Sequence, residues 1–138
     1  MKKRILIVED DRVMGEKLIQ FLEKCSYATE LVTNARAAYA ALSRPTDRFD
    51  VVVCDDNFPL EPHTPLSHAR GLEILRFLRS SAVKGYQHTP YILHTSDDTA
   101  SFRRRVTEEG GVYCCKRFVF SFYGLFVLIE AQLASVVA

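Results

Sequence analysis

Tryptophan is absent from the 138 residues, and glycine (6), proline (5) and cysteine (4) are scarce. So little glycine and proline excludes collagen-like and low-complexity chains. The four cysteines, Cys25, Cys54, Cys114 and Cys115, form no CxxC pair and show no Cys/His ligand spacing. That excludes a zinc ribbon or a disulfide scaffold and predicts reduced thiols in a cytoplasmic protein. An excess of one charge is also missing: eighteen Lys and Arg against seventeen Asp and Glu leave +1, so direct nucleic-acid binding by the chain as a whole is not expected. The basic start, Met1 to Arg4, is followed by only four apolar residues before Glu9-Asp10-Asp11, too few for a signal peptide. One long apolar stretch does occur, Phe118 to Ala138, in which only Glu130 is charged. Its length approaches a membrane span, but Ser121, Gly124, Gln132 and Ser135 thin it, and a docked closing helix is preferred to a tail anchor.

What is present is an alternation of short apolar runs with helical stretches, the pattern of a parallel sheet with crossover helices. Strands are expected at Arg4–Val8, Ala28–Thr33, Phe49–Cys54, Tyr91–Thr95 and Val112–Cys115. The runs at 5–8 and 51–54 are solidly apolar, as strands covered on both faces require. Between them, Val13, Leu18, Phe21 and Leu22 mark one face of a first helix capped by Asp11, and Asn34 caps a second. A third runs from Gly71 to about Val83, a fourth from about Asp98 to Glu109, and the apolar tail makes the last. The length predicts one domain, 1–138, with a long loop at about 56–70 and no effector domain.

In open parallel sheets ligands bind beyond the carboxyl ends of the strands. There this chain places Glu9-Asp10-Asp11 after the first run, Asp55-Asp56-Asn57 after the third, Thr95-Ser96 after the fourth and Lys116 after the fifth. Carboxylates gathered at one edge repel each other, and a hard divalent cation relieves the repulsion. A lysine and a hydroxyl beside them suit the oxygens of a phosphoryl group moving onto one carboxylate.

Four segments, Ile5-Leu-Ile-Val-Glu-Asp-Asp11, Asp50-Val-Val-Val-Cys-Asp-Asp-Asn-Phe-Pro59, Pro90-Tyr-Ile-Leu-His-Thr-Ser96 and Gly111-Val-Tyr-Cys-Cys-Lys-Arg-Phe118, together resemble the receiver domains of bacterial two-component response regulators. The resemblance covers nearly the whole chain. It implies a flavodoxin-like (βα)5 fold, a doubly wound five-stranded parallel sheet flanked by helices. It further implies a signalling switch rather than a turnover enzyme, in which a sensor histidine kinase or histidine phosphotransfer protein supplies the phosphoryl group. Residue by residue, it makes Asp55 the phosphoacceptor, because Pro59 lies four beyond it. Glu9, Asp10, Asp55 and the backbone carbonyl of Asn57 become the ligands of Mg²⁺, with Mn²⁺ a substitute. Thr95 and Lys116 become the groups that bind the phosphoryl oxygens, and Tyr113 the aromatic that swings inward as Thr95 responds.

Three features depart from the family pattern. Arg117 stands where a proline usually follows the lysine, which predicts a trans peptide there because a cis bond without proline costs about 3 kcal/mol. The connection from Pro59 to Gly71 is long, and prolines at 59, 62 and 65 predict polyproline geometry. His63 and His68 within it lack a third ligand for a transition metal. Asp56 adds a carboxylate beside Asp55. Arg103-Arg104-Arg105 reads either as a solvated helix face or as a partner surface, and Phe122 and Phe126 suggest a homodimer or partner contact through the last helix. Two other functions remain open at this point: a receiver-like interaction module that signals without phosphate, and an aspartate-nucleophile hydrolase. The second is weakened because the residue two beyond Asp55 is Asn57, not an acid.

Overall fold

The computed structural model describes residues 1–67, 70–116 and 121–137. Five parallel strands, β1 (Arg4–Val8), β2 (Ala28–Val32), β3 (Val51–Cys54), β6 (Tyr91–Thr95) and β7 (Val112–Cys115), form a sheet in the order β2-β1-β3-β6-β7. Helices α1 (Arg12–Lys24), α2 (Ala35–Leu42), α3 (Arg70–Arg79), α4 (Ala100–Glu108) and α5 (Ser121–Val137) cover it. From β1 the chain winds outward to β2, then crosses back to β3 on the other side. The reversal opens a crevice between the carboxyl ends of β1 and β3.

Strand periodicity of two builds the layers. Ile5, Ile7, Val51, Val53 and Ile92 face a core shared with Leu18 and Leu22 of α1 and Leu125 and Ile129 of α5. Their neighbours Leu6, Val8, Val52, Cys54, Tyr91 and Leu93 face Ala38 of α2, Leu72 and Leu75 of α3 and Phe102 of α4. β1 from Ile5 and all of β3 are buried on both faces, so they read as continuous apolar runs, and β6 is buried throughout although it ends in His94 and Thr95.

Both expected caps form: Asp11 accepts from Met14 N at 3.1 Å and Asn34 from Ala37 N at 2.9 Å. Val13, expected on the inward face of α1, is 63% exposed. Five residues before Leu18 it lies about 140° round the helix, off the buried stripe of Gly15, Leu18 and Leu22. α3 stops at Arg79, short of Val83, where Ser80 turns the chain by donating its hydroxyl to Phe77 O at 2.6 Å and accepting from Ala82 N at 3.3 Å.

The long connection is not polyproline. Phe58–Pro59 (β4) and Leu66–Ser67 (β5) pair antiparallel, closed by Thr64, whose hydroxyl donates to Glu61 O at 2.7 Å. Backbone pairing and burial of Phe58 outweigh the preference that three prolines impose. The hairpin rests on α2, where Arg36 N donates to Leu60 O at 2.9 Å and the Arg36 guanidinium pairs with Glu61. His63 is exposed on it, and His68 lies outside the described residues.

α5 is amphipathic in use despite its apolar sequence. Phe122 and Phe126 turn onto Phe21 of α1, with ring centroids at 5.7 and 6.5 Å, so these two are packing residues rather than the free partner surface expected of them. The large apolar side chains exposed on α5 are instead Tyr123, Val127 and Val136. Among the described residues no helix is long and apolar enough to cross a membrane, and all four cysteines are free thiols.

Candidate functional site

The carboxyl ends of β1, β3, β6 and β7 bring the expected groups together. Oxygens of Glu9, Asp10 and Asp55 lie within 4.8 Å of one another. Glu9 is held by Asp11 N, which donates to its Oε2 at 3.3 Å, and its own backbone N–H reaches Val32 O. Lys116 Nζ lies between two of the acids, 2.5 Å from Glu9 Oε1 and 3.2 Å from Asp55 Oδ2. Asp56 N donates to the other Asp55 oxygen, Oδ1, at 2.7 Å. Asp55, Asp56, Asn57, Thr95, Ser96, Asp97 and Lys116 line a pocket of about 230 Å³. Thr95 is buried, and its Oγ1 accepts from Asp97 N at 3.2 Å.

Charge is crowded here. Burial, then repulsion from Asp55, lifts the Glu9 carboxyl to about 7 against the pull of Lys116. Burial draws the Lys116 ammonium down, but Asp55 and Glu9 outweigh it and hold its pKa above the ordinary value. One ammonium balances three carboxylates incompletely, and all the donors are hard oxygens, so the residues present fit a divalent cation such as Mg²⁺.

Not every expected residue joins the pocket. Tyr113 points to the other face of β7, packed against the core under α4 with Arg103 lying 5.0 Å over its ring. Arg103, Arg104 and Arg105 are exposed on α4. The peptide into Arg117 lies outside the described residues. Asp56 is buried at the pocket wall.

Sequence reasoning missed how the backbone of Asp55 is held. The Gly71 Cα packs so closely that a Cβ there would sit 2.5 Å from Asp55 O, while Gly71 N donates to Asp56 O at 3.3 Å. The Cys54 thiol donates to Asp55 O at 3.1 Å, and the Tyr91 hydroxyl to Gly71 O at 2.6 Å. The available signals were a glycine at the start of a helix and a phenol at the start of a strand whose next two residues are aliphatic.

His94, beside Thr95, is 2% exposed, and its Nε2 finds no hydrogen-bond partner among the described residues. Burial, aided by the Lys116 charge, lowers its pKa from 6.5 to about 3. A depressed histidine stabilises the fold above its unfolded pKa, and that stability is lost as pH falls through the window from 6.5 toward 3. The expected slope is about 1 kcal/mol per pH unit. Glu9, lifted to about 7, acts in the opposite sense over the same window, so the readout is the difference between proteins: by urea unfolding at pH 7 and pH 5 the wild type should lose about 2 kcal/mol relative to His94→Leu, and an unchanged difference would refute the assignment.

A model of the response regulator receiver domain matches residues 5–118. The transcriptional regulatory protein QseB of Haemophilus influenzae is 32% identical, the match covering 83% of this chain and 46% of that protein. The chain thus spans about half the length, or less, of the curated relatives it matches. The non-phosphorylated HemR receiver domain from Leptospira biflexa superposes with a TM-score of 0.75 at 28% identity, covering 96% of this chain and 94% of that one. The receiver domain of sensor histidine kinase PA1611 from Pseudomonas aeruginosa, crystallised with a magnesium ion in its active-site cleft, gives 0.75 at 21% identity, covering 97% and 99%. With the β2-β1-β3-β6-β7 sheet and the acidic crevice already in view, the match over residues 5–118 places the chain in the response regulator receiver domain family, whose general role is a phosphoryl-accepting signalling switch.

Proposed function

We propose that Asp55 is the phosphoacceptor of this receiver and that a phosphohistidine on a sensor kinase or phosphotransfer protein is the donor. The observation that carries the reading is Asp55 Oδ2 standing 3.2 Å from Lys116 Nζ in a pocket that Thr95 also lines. Asp56 N–H engages Oδ1, which leaves Oδ2 as the attacking atom. Oδ2 forms the bond to phosphorus as the P–N bond to the donor imidazole breaks, and the imidazole leaves with its electron pair and takes up a proton. Lys116 neutralises the phosphoryl oxygens, and the Thr95 hydroxyl, whose oxygen accepts from Asp97 N, has its hydrogen to donate to one of them. Glu9, Asp10, Asp55 and the Asn57 carbonyl would hold Mg²⁺. A cation bound there offsets charge on the transferring group.

Output follows from a local charge change that biases the surface of α4, β7 and α5. Arg103 to Arg105 and the exposed Tyr123 and Val127 make that surface basic and apolar, suited to a protein target or a second copy of this chain. In this reading residues 1–138 act as one domain through protein contact or onward phosphotransfer. The test is intact mass after incubation with Mg²⁺ and a small acyl phosphate. A gain of one phosphoryl group, acid-stable and base-labile, is expected; no gain would leave an interaction module that signals without phosphate.

A further inference from the structure

We propose that Tyr91 is a positioning residue that sets the backbone of Asp55 through α3, an inference that rests on Asp55 being the acceptor. Tyr91 is fully buried on β6 among apolar side chains, where a phenol without a partner is costly. An apolar residue would fill the same strand position without that requirement. Its hydroxyl reaches the first turn of α3 and donates to Gly71 O at 2.6 Å. Gly71 in turn abuts Asp55 O and donates its N–H to Asp56 O. From the other side the Cys54 thiol donates to Asp55 O at 3.1 Å. The peptide that carries the reactive carboxylate is therefore gripped between β3 and the start of α3, and Tyr91 decides where that start lies.

The need for such a tie comes from the chain itself. α3 follows a connection that includes the β4–β5 hairpin, and a long connection leaves the first residue of a helix free to shift by a fraction of a turn. A shift of that size at Gly71 would move Asp55 relative to Lys116, and small misplacements of reacting groups cost rate steeply. A buried hydrogen bond from a strand in the middle of the sheet removes the freedom without adding a charge near the acids.

Tyr91→Phe keeps the ring and deletes the tie. Its control is Tyr86→Phe: Tyr86 is also buried, but its hydroxyl accepts from Phe49 N at 3.1 Å, at the start of the strands rather than beside the acids. Both variants should melt slightly below the wild type. Only Tyr91→Phe should slow labelling at saturating acyl phosphate, by about fivefold, the factor that losing one neutral hydrogen bond gives. Only Tyr91→Phe should speed amide hydrogen exchange at Gly71, by a similar factor. Equal labelling rates for the two variants, or Gly71 exchange unchanged in Tyr91→Phe, would overturn the proposal. A wild type that takes no label would overturn the function instead, and the exchange measurement would still decide whether Tyr91 holds Gly71 in place.

Discussion

Replacing Asp55 with asparagine is expected to abolish phosphoryl uptake, whereas Asp56→Asn should retain it at a reduced rate. The two acids are neighbours in sequence and both line the pocket, yet their roles diverge in space. Asp55 presents Oδ2 to Lys116 and shares the carboxylate cluster with Glu9 and Asp10. Asp56 is buried at the wall, supplies its N–H to Asp55 and receives Gly71 N on its carbonyl. The side-chain amide of the Asp55→Asn variant has no lone pair of comparable nucleophilicity and removes a negative charge opposite Lys116. Loss should exceed about a thousandfold, since the proposed nucleophile is gone. Intact mass after the same acyl phosphate incubation reads both variants. Label on Asp55→Asn together with none on Asp56→Asn would reverse the assignment.

The second large effect concerns a residue with no side chain. Gly71→Ala should destabilise the protein by about 2 kcal/mol and slow labelling by more than about tenfold. Helix propensity argues the other way, since alanine gains about 1 kcal/mol over glycine in a helix interior. Contact decides the sign. The new Cβ would fall 2.5 Å from Asp55 O and 2.9 Å from Leu93 Cδ1, and although a leucine methyl can turn aside, a backbone carbonyl held by the Cys54 thiol cannot without moving Asp55. Gly124 provides the matched control. It lies within α5 with nothing within 4 Å of its added Cβ, so Gly124→Ala should stabilise by up to about 1 kcal/mol. Urea unfolding of the pair checks this, and a Gly71→Ala protein as stable as Gly124→Ala would show that α3 is free to move away from Asp55.

Much of the site was legible in the chain because strands end where apolar runs end. Glu9, Asp55, Thr95 and Lys116 each follow or close a run that becomes a parallel strand, and parallel strands deliver their carboxyl ends to one edge. Asp11 and Asn34 were legible as caps because capping is local, decided within three residues. The errors share the opposite property. The proline spacing predicts an extended strap, but the ladder between Phe58–Pro59 and Leu66–Ser67 depends on pairing across the connection. Phe122 and Phe126 read as surplus apolar surface because their partner, Phe21, lies about a hundred positions away in sequence.

By itself, then, the sequence determined the order of the five sheet strands and the helices between them, and the edge on which the acids, the hydroxyl and the lysine gather, because these follow from local periodicity and from which residue types end each run. The tertiary structure alone decided how tightly that edge is set. The lift of Glu9 toward neutrality, the ammonium of Lys116 lodged between two acids and the hold of Tyr91 and Gly71 on the Asp55 peptide are all products of distance and burial. Contacts between residues far apart in the chain exist only once the sheet has closed.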